Sequence, residues 1–249
     1  MKKTGLSSDA KPTGRRRLPV EARRAEILRE AAEYFAHHGF SGSTRDLAST
    51  LGITQALIYK HFESKHDLIE KTLEAAFGET DGQSPRLDAA APLEQSLSSF
   101  YKQFVARATE TRMRLFIRAG LDGRSWPTRR GNALTRDLFL PAIAALRKNA
   151  SLPDLDQQPA MRGERELVMM LHASMVFLGI RRHVYGMPMP SNLDDIVDLY
   201  VSTFVQGALP GIRNLHEAGE ASLKVTLLAP APDNPSEVTS SGRKRTSNR

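Results

Sequence analysis

The strongest constraint on the fold is the spacing of small and branched residues within positions 44–62. Ala48 is followed by Gly52 four residues later, then by Ile53, and Ile58 comes five residues after that. A small side chain at position 48 lets two helices pack closely, and a glycine at position 52 permits a left-handed turn without a Cβ penalty. The two isoleucines would fill the wedge between these helices. This spacing predicts a helix-turn-helix.

The ends of the two helices in this pair are marked by residues that commonly cap helices. The first is predicted over residues 44–51, with Ser43 or Thr44 as its N-cap and Gly52 just after its end. The second is predicted over residues 55–61 and is capped by Thr54.

Two further helices are predicted on either side of the pair. One spans residues 20–38, where apolar residues recur on one face between Pro19 and Gly39. The other begins at Ser64, and Asp67 three residues later favours a reciprocal capping box.

The remainder of the chain also has helical periodicity and almost no alternation typical of strands, so we predict an all-α protein. Composition divides it into a basic segment 1–18, a helix-turn-helix domain 19–66, a longer helical body 67–217 and a Pro- and Ser-rich tail 218–249. The first helix of the body is expected to start near residue 64. Both terminal segments are too polar to form a core and are expected to be disordered.

Positive charge is concentrated at the front of the chain. Residues 1–66 contain 12 Lys and Arg against 7 Asp and Glu, whereas residues 67–217 contain 18 of each kind. This imbalance indicates a polyanionic partner for the front, although a solubilising basic segment would explain it equally well. The chain has no cysteine, its first residues lack an apolar signal region, and its longest apolar run, 167–180, is too short to cross a bilayer. We therefore predict a cytoplasmic protein.

The second helix of a helix-turn-helix enters the major groove of DNA, N-terminal end first. Gln55, Ala56 and Tyr59 fall on its outer arc, and Lys60 and His61 lie near its end. Glutamine can pair with an adenine edge, and alanine can contact a thymine methyl group. Tyrosine and lysine suit phosphate oxygens, which position a protein on DNA without reading its sequence.

Three segments within residues 23–68, ILREAAEYFAHHGF, DLASTLGIT and LIYKHFESKHDL, resemble the N-terminal domain of the tetracycline-repressor (TetR) family. The resemblance implies a homodimeric regulator with a three-helix DNA-binding head and a helical body for ligand binding and dimerisation. Carried over by position, it implies that DNA is faced by Thr44, Arg45, Thr54, Gln55, Ala56, Tyr59, Lys60, His61 and Lys65.

The loop after Gly39 differs from the family pattern. It is one residue shorter than usual, and Gly42 stands where a threonine is expected.

Two segments of the body are predicted to form the dimer interface. The run 167–180 is apolar on almost all sides and must be covered on two of them. Helices near 164–182 and 192–209 from each subunit would together form a four-helix interface.

An adaptable apolar pocket is a further prediction for the body. Its candidate lining residues are methionines and aromatics, which core packing would explain as well: Phe100, Phe104, Phe116, Trp126, Met169, Met170 and Met175. His172 lies among apolar neighbours and is expected to be a core or interface histidine. The histidines lack carboxylate or cysteine partners at metal-binding spacing, so we expect neither a metal site nor a cofactor.

We therefore predict a transcriptional repressor that binds a palindromic double-stranded DNA operator and is released by an unknown small molecule. One alternative is an all-α enzyme with a vestigial helix-turn-helix, but no nucleotide-binding, nucleophile-elbow or zinc-protease motif supports an enzyme. Another is a nonspecific basic DNA binder driven by the basic tails. Separately, the arginines at 15–17 lie just before the first helix and could reach an adjacent minor groove as an arm.

Overall fold

A computed structural model describes residues 19–77, 85–88, 90–124 and 134–219. These residues form nine α-helices and no strand, which confirms the predicted all-α fold. Among them, no helix combines the length and apolar character needed to cross a membrane. The predicted basic segment 1–18 and all but the first two residues of the tail lie outside the described residues.

The head consists of four helices at the predicted positions: α1 (Val20–His38), α2 (Thr44–Leu51), α3 (Gln55–His61) and α4 (Lys65–Phe77). They enclose a head core whose central side chains are fully buried: Ile27, Phe35, Leu47, Ile58 and Leu68. The apolar stripe of α1 therefore packs inward as its periodicity predicts.

The turn between α2 and α3 has the backbone conformation that its glycine predicts. Gly52 is left-handed, with φ of 63° and ψ of 35°. The N–H groups of Gly52 and Ile53 donate to the carbonyls of Ser49 and Ala48 at 3.0 and 2.9 Å. These two bonds form a Schellman motif, which satisfies carbonyls at the end of α2.

Side-chain caps define the other helix starts of the head. Ser43, not Thr44, caps α2, because its hydroxyl accepts the N–H of Arg45 at 3.1 Å. Thr54 caps α3 by accepting the N–H of Leu57 at 3.2 Å. At the start of α4, the N–H of Asp67 donates to the hydroxyl of Ser64 at 3.1 Å.

The body contains α5 (Leu93–Ala106), α6 (Glu110–Leu121), α7 (Leu140–Ala150), α8 (Arg162–His183) and α9 (Leu193–Ala218). A π-helical turn, Thr135–Phe139, leads directly into α7. Helices α5, α7, α8 and α9 surround a body core that includes Leu97, Tyr101, Leu146, Met175 and Val201, all fully buried.

Helix α6 contributes to both parts of the molecule. Leu115 and Ala119 belong to the head core. Met113 lies close to Gly179 of α8, where an added Cβ at position 179 would be 2.6 Å from the Met113 sulfur. Leu121, at the end of α6, does not share this apolar face, since it is 81% exposed. It lies two residues beyond Ala119, which places it about 200° around the helix.

Two arginines of α6 hold the head against the body. Arg118 donates from Nε to the carbonyl of Ala36 at 3.0 Å and from Nη2 to that of His37 at 2.9 Å. Arg112 donates from Nε to the carbonyl of Ala76 at 2.7 Å. These carbonyls lie in the last turns of α1 and α4, where they have no partner within the helix and attract positive charge.

Candidate nucleic-acid interface

Helix α3 has one buried side and one exposed side. Ile58 is fully buried in the head core, whereas Ala56, Tyr59 and Lys60 are exposed. The cap residue Thr54 is exposed too. Because the helix is only seven residues long, these side chains form one compact outer surface at the edge of the head.

Thr44 lies beneath this surface and not on it. It is only 5% exposed, which disfavours the direct contact with DNA that the family resemblance implies. The Nε2 atom of Gln55 donates to its Oγ1 at 2.7 Å, and Oγ1 is 3.1 Å from the hydroxyl of Tyr59. Thr44 is buried because α3 crosses over the start of α2 and places these two side chains above it.

The remaining predicted contact residues are distributed around α3. Arg45 is exposed on the first turn of α2, and His61 is half-buried at the end of α3. Lys65 is half-buried and donates from Nζ to the carbonyl of Ser41 at 3.0 Å, which ties the start of α4 to the loop after α1.

The short loop before α2 is closely packed against α1. A Cβ at Gly42 would be 2.7 Å from Cε1 of Tyr34, so no larger residue fits there without a shift. The ring of Tyr34 stacks on that of His38, with centroids 4.5 Å apart. The glycine in place of the expected threonine thus accommodates the Tyr34 ring.

The predicted pocket residues are not all brought together. Phe100 and Met175 lie in the body core with Phe104 packed against it, whereas Phe116 packs on the head core. Met169 and Met170 are 41% and 57% exposed on the outer side of α8, so they cannot line an internal cavity with the others. Trp126 is outside the described residues.

The body core contains an aromatic cluster that the sequence reading did not single out. The ring of His172 has its centroid 5.1 Å from that of Phe104, 6.0 Å from Phe139 and 6.1 Å from Tyr101. His172 is 8% exposed, as expected for a core histidine. The feature of the sequence that could have indicated this cluster is Tyr101, a polar aromatic residue within the apolar stripe of α5.

The hydroxyl of Tyr101, in this cluster, is buried without a hydrogen-bond partner among the described residues. Burial raises the pKa of Tyr101 far above its usual value, so the phenol stays protonated and retains a hydrogen to donate.

Residues 27–72 match the family model described as "Bacterial regulatory proteins, tetR family". The chain is 34% identical over 88 residues to the HTH-type transcriptional repressor KstR2 of Mycolicibacterium smegmatis, covering 34% of this chain and 43% of that one. It is 33% identical over 86 residues to KstR2 of Rhodococcus jostii, covering 32% and 42%. The matched part of the chain thus spans less than half the length of these relatives.

The whole fold also resembles a solved structure. A transcriptional-regulator structure from Pseudomonas aeruginosa aligns over 80% of this chain and 95% of its own, with a TM-score of 0.57 and 16% identity. At this identity the likeness shows the fold alone. The match over residues 27–72, with the helix-turn-helix geometry described above, makes this N-terminal part of the chain similar to the tetR family of bacterial regulatory proteins.

Proposed function

We propose that this protein is a sequence-specific DNA-binding transcriptional regulator, acting as a repressor that a small molecule releases from a palindromic operator. The observation that carries the proposal is the exposed outer side of α3, held at a fixed angle by Ile58 and Gly52 in a domain that matches the tetR family. That the relatives above are named repressors supports repression over activation.

The contacts with DNA divide by chemistry. Ala56 and Gln55 lie at the N-terminal end of α3, where side chains reach base edges, and they suit a thymine methyl group and an adenine edge respectively. Tyr59 and Lys60 are exposed donors suited to phosphate oxygens. Supporting contacts are proposed for Arg45, Thr54, His61 and Lys65.

A dimer would present two such heads to the two half-sites of a palindrome. Large apolar side chains are exposed on α8 and α9: Met169, Met170, Phe177 and Leu199. Met170 and Phe177 are seven residues apart, so they lie on the same side of α8 two turns apart. An apolar surface of this kind on two neighbouring helices supports pairing with the same helices of a second subunit.

The effector is proposed to enter the body beside Tyr101. The rings of Phe100 and Phe104 have their centroids 5.0 and 6.2 Å from that of Tyr101, and Met175 belongs to the same core. The buried hydroxyl offers a donor to a carbonyl or carboxylate of the ligand. Helix α6 supports a route to the head, because Met113 touches α8 and Arg118 holds α1. A ligand that favours one position of α6 would thereby change the separation of the two heads.

We further propose that the protein acts in the cytoplasm, on the nucleoid when bound to DNA, and that it is a regulator and not an enzyme. The arginines at 15–17, outside the described residues, would add an arm in the neighbouring minor groove.

The test is a mobility-shift titration of the full chain with DNA from upstream of its own gene, at physiological salt. We expect a retarded complex that unlabelled specific DNA displaces and scrambled DNA of equal length does not. Tyr59→Ala and Lys65→Ala should weaken this complex, whereas Lys71→Ala, a lysine of α4 paired with Glu74 at 2.8 Å, should not. Equal competition by scrambled DNA, with binding that disappears as salt is raised, would instead identify a nonspecific binder.

A further inference from the structure

Three side chains of the helix-turn-helix form a hydrogen-bonded chain with the hydroxyl of Thr44 in the middle. Gln55 Nε2 donates to Thr44 Oγ1 at 2.7 Å, and Thr44 Oγ1 lies 3.1 Å from the hydroxyl of Tyr59. Thr44 is 5% exposed and Tyr59 is 41% exposed, so the chain runs from the interior of the head to its surface. It connects a residue suited to reading a base with a residue suited to holding a phosphate.

The direction in which hydrogens are donated along these two hydrogen bonds depends on what Tyr59 contacts. Phosphate oxygens only accept hydrogen bonds, so Tyr59 must donate its single hydroxyl hydrogen outward when it holds a phosphate. Its oxygen is then free to accept the hydrogen of Thr44. With that hydrogen committed, Thr44 can only accept from Gln55, and the amide must face it with N–H and not with Oε1.

The orientation of the Gln55 amide decides which base edge it can read. With one N–H held by Thr44, the outward side presents Oε1 and the second N–H, which are the acceptor and donor that an adenine edge requires. If Tyr59 instead donates inward, Thr44 can donate to Oε1 and the amide can reverse. The reversed amide exchanges the positions of Oε1 and the NH₂ group, so its acceptor faces N7 of adenine and its donor faces the adenine amine, and neither pair can bond.

We propose that Thr44 is a positioning residue that makes adenine recognition by Gln55 depend on phosphate contact by Tyr59. The inference rests on the proposed DNA-binding function. It adds that the contact of Tyr59 with a phosphate, which reads no base sequence, sets the base specificity of Gln55. A protein weakly placed on the backbone of unrelated DNA would therefore read its bases less selectively than one fully docked.

The experiment is a selection of bound duplexes from a pool randomised across the operator, using the full-length protein at fixed salt. The position read by Gln55 is identified as the one whose adenine preference disappears in Gln55→Ala. Thr44→Val keeps the shape of the side chain and removes its hydroxyl, and we expect it to reduce the preference at that same position about tenfold. Tyr59→Phe should do the same, and Thr44→Ser, which retains the hydroxyl, should keep the wild-type preference.

The outcomes separate this inference from the proposed function. If the wild type selects an operator but Thr44→Val or Tyr59→Phe retains full adenine preference, or Gln55→Ala loses none, the coupling is wrong and the regulator proposal stands. If the wild type selects no sequence, both fail. A purely structural role of Thr44 would weaken preference at all positions of the site and would not be reproduced by Tyr59→Phe. Should Thr44→Val unfold, as judged by circular dichroism, Tyr59→Phe decides the matter alone because its ring stays in place at the surface.

Discussion

Arg147 and Glu164 face each other inside the body as a bidentate ion pair with no exposed surface on either side chain. Arg147 Nε lies 2.7 Å from Glu164 Oε1, and Nη2 lies 2.7 Å from Oε2. Arg147 joins the end of α7 to the first turn of α8 in this way.

Neighbouring groups complete the hydrogen bonding of this pair. The remaining N–H groups of the guanidinium donate to carbonyls of the loop between α7 and α8, at 2.6 Å for Gln158 and 3.1 Å for Pro153 and Pro159. Glu164 also accepts the N–H of Met161 at 2.7 Å, and Nε2 of His216 lies 2.9 Å from its Oε1. The network therefore ties α9 to α7 and α8.

Removal of either partner of this pair should strongly destabilise the fold. Arg147→Met leaves the Glu164 carboxylate buried without its counter-charge, and loss of one partner of a buried pair costs about 3–5 kcal/mol. The free energy of unfolding in urea measures the loss. The control is Lys102→Ala, which breaks a 2.7 Å pair with Asp198 at the surface and should cost less than about 1 kcal/mol. An equal loss of unfolding free energy in the two variants would show that burial of the Arg147 pair does not increase its contribution to stability.

Stability should also fall at acidic pH because of Glu164. Burial by itself raises the pKa of this carboxyl, but hydrogen bonds from Arg147, His216 and the Met161 N–H, with the charge of Arg147, outweigh burial and lower the pKa below its ordinary value of 4.5. The folded state thus favours the ionised form. Its contribution is complete above the ordinary pKa and is lost as pH falls through the lowered value in the folded protein.

Urea unfolding between about pH 3 and pH 7 tests this dependence. Glu164→Gln should be less stable at neutral pH and should lose part of the acid sensitivity. Asp198→Asn is the matched control, since the pKa of Asp198 is also lowered, chiefly by the hydrogen bond from Lys102, but at the surface. An acid transition of the same size in Glu164→Gln as in wild type would contradict the prediction.

The proposed dimer interface can be disrupted by a single charge. Phe177 on α8 is 49% exposed, and Phe177→Glu would place a carboxylate in the apolar contact. We expect a monomer by light scattering after size exclusion, with weaker binding to a full operator. Leu121→Glu introduces the same charge at an 81% exposed position on α6 and should leave the dimer intact. A dimeric Phe177→Glu protein would place the interface elsewhere.

Lys60 should contribute to DNA affinity through phosphate and not through base sequence. Because each neutralised phosphate releases counterions, Lys60→Ala should reduce the slope of log affinity against log salt by about 1 and weaken all operators alike. Fluorescence anisotropy over a range of salt concentrations measures the slope. Lys71→Ala, whose ammonium is paired with Glu74, should leave it unchanged. A change in base preference in Lys60→Ala would mean that Lys60 reads bases.

The short loop before α2 should not tolerate a side chain at position 42. Gly42→Ala would place its Cβ 2.7 Å from the Tyr34 ring, and overpacking of this kind costs about 1–3 kcal/mol. At Gly120 in α6, a Cβ would meet no atom within 4 Å, so Gly120→Ala should be neutral or stabilising by up to about 1 kcal/mol. Thermal unfolding of the two variants gives the comparison, and a stable Gly42→Ala protein would show that Tyr34 moves freely.

The helices of the head could be predicted almost to the residue because their limits depend on neighbours in sequence. Ser43, Gly52 and Thr54 cap helices through groups at most five residues away, so the pattern of residues contains the whole interaction. The exposed side of α3 follows in the same way from the burial of Ile58.

Other features were decided by which distant segment packs on a given face. The family resemblance implies that Thr44 faces DNA, yet α3 covers it. Met169 and Met170 belong to an apolar run of the sequence, yet they are exposed on the outer side of α8. The pairing of Arg147 with Glu164 requires the intervening loop to turn back on itself. The sequence by itself determined the helices and the helix-turn-helix, because caps and turns are local. Only the tertiary structure decided which polar side chains are buried together, because burial depends on contacts between segments far apart in the chain.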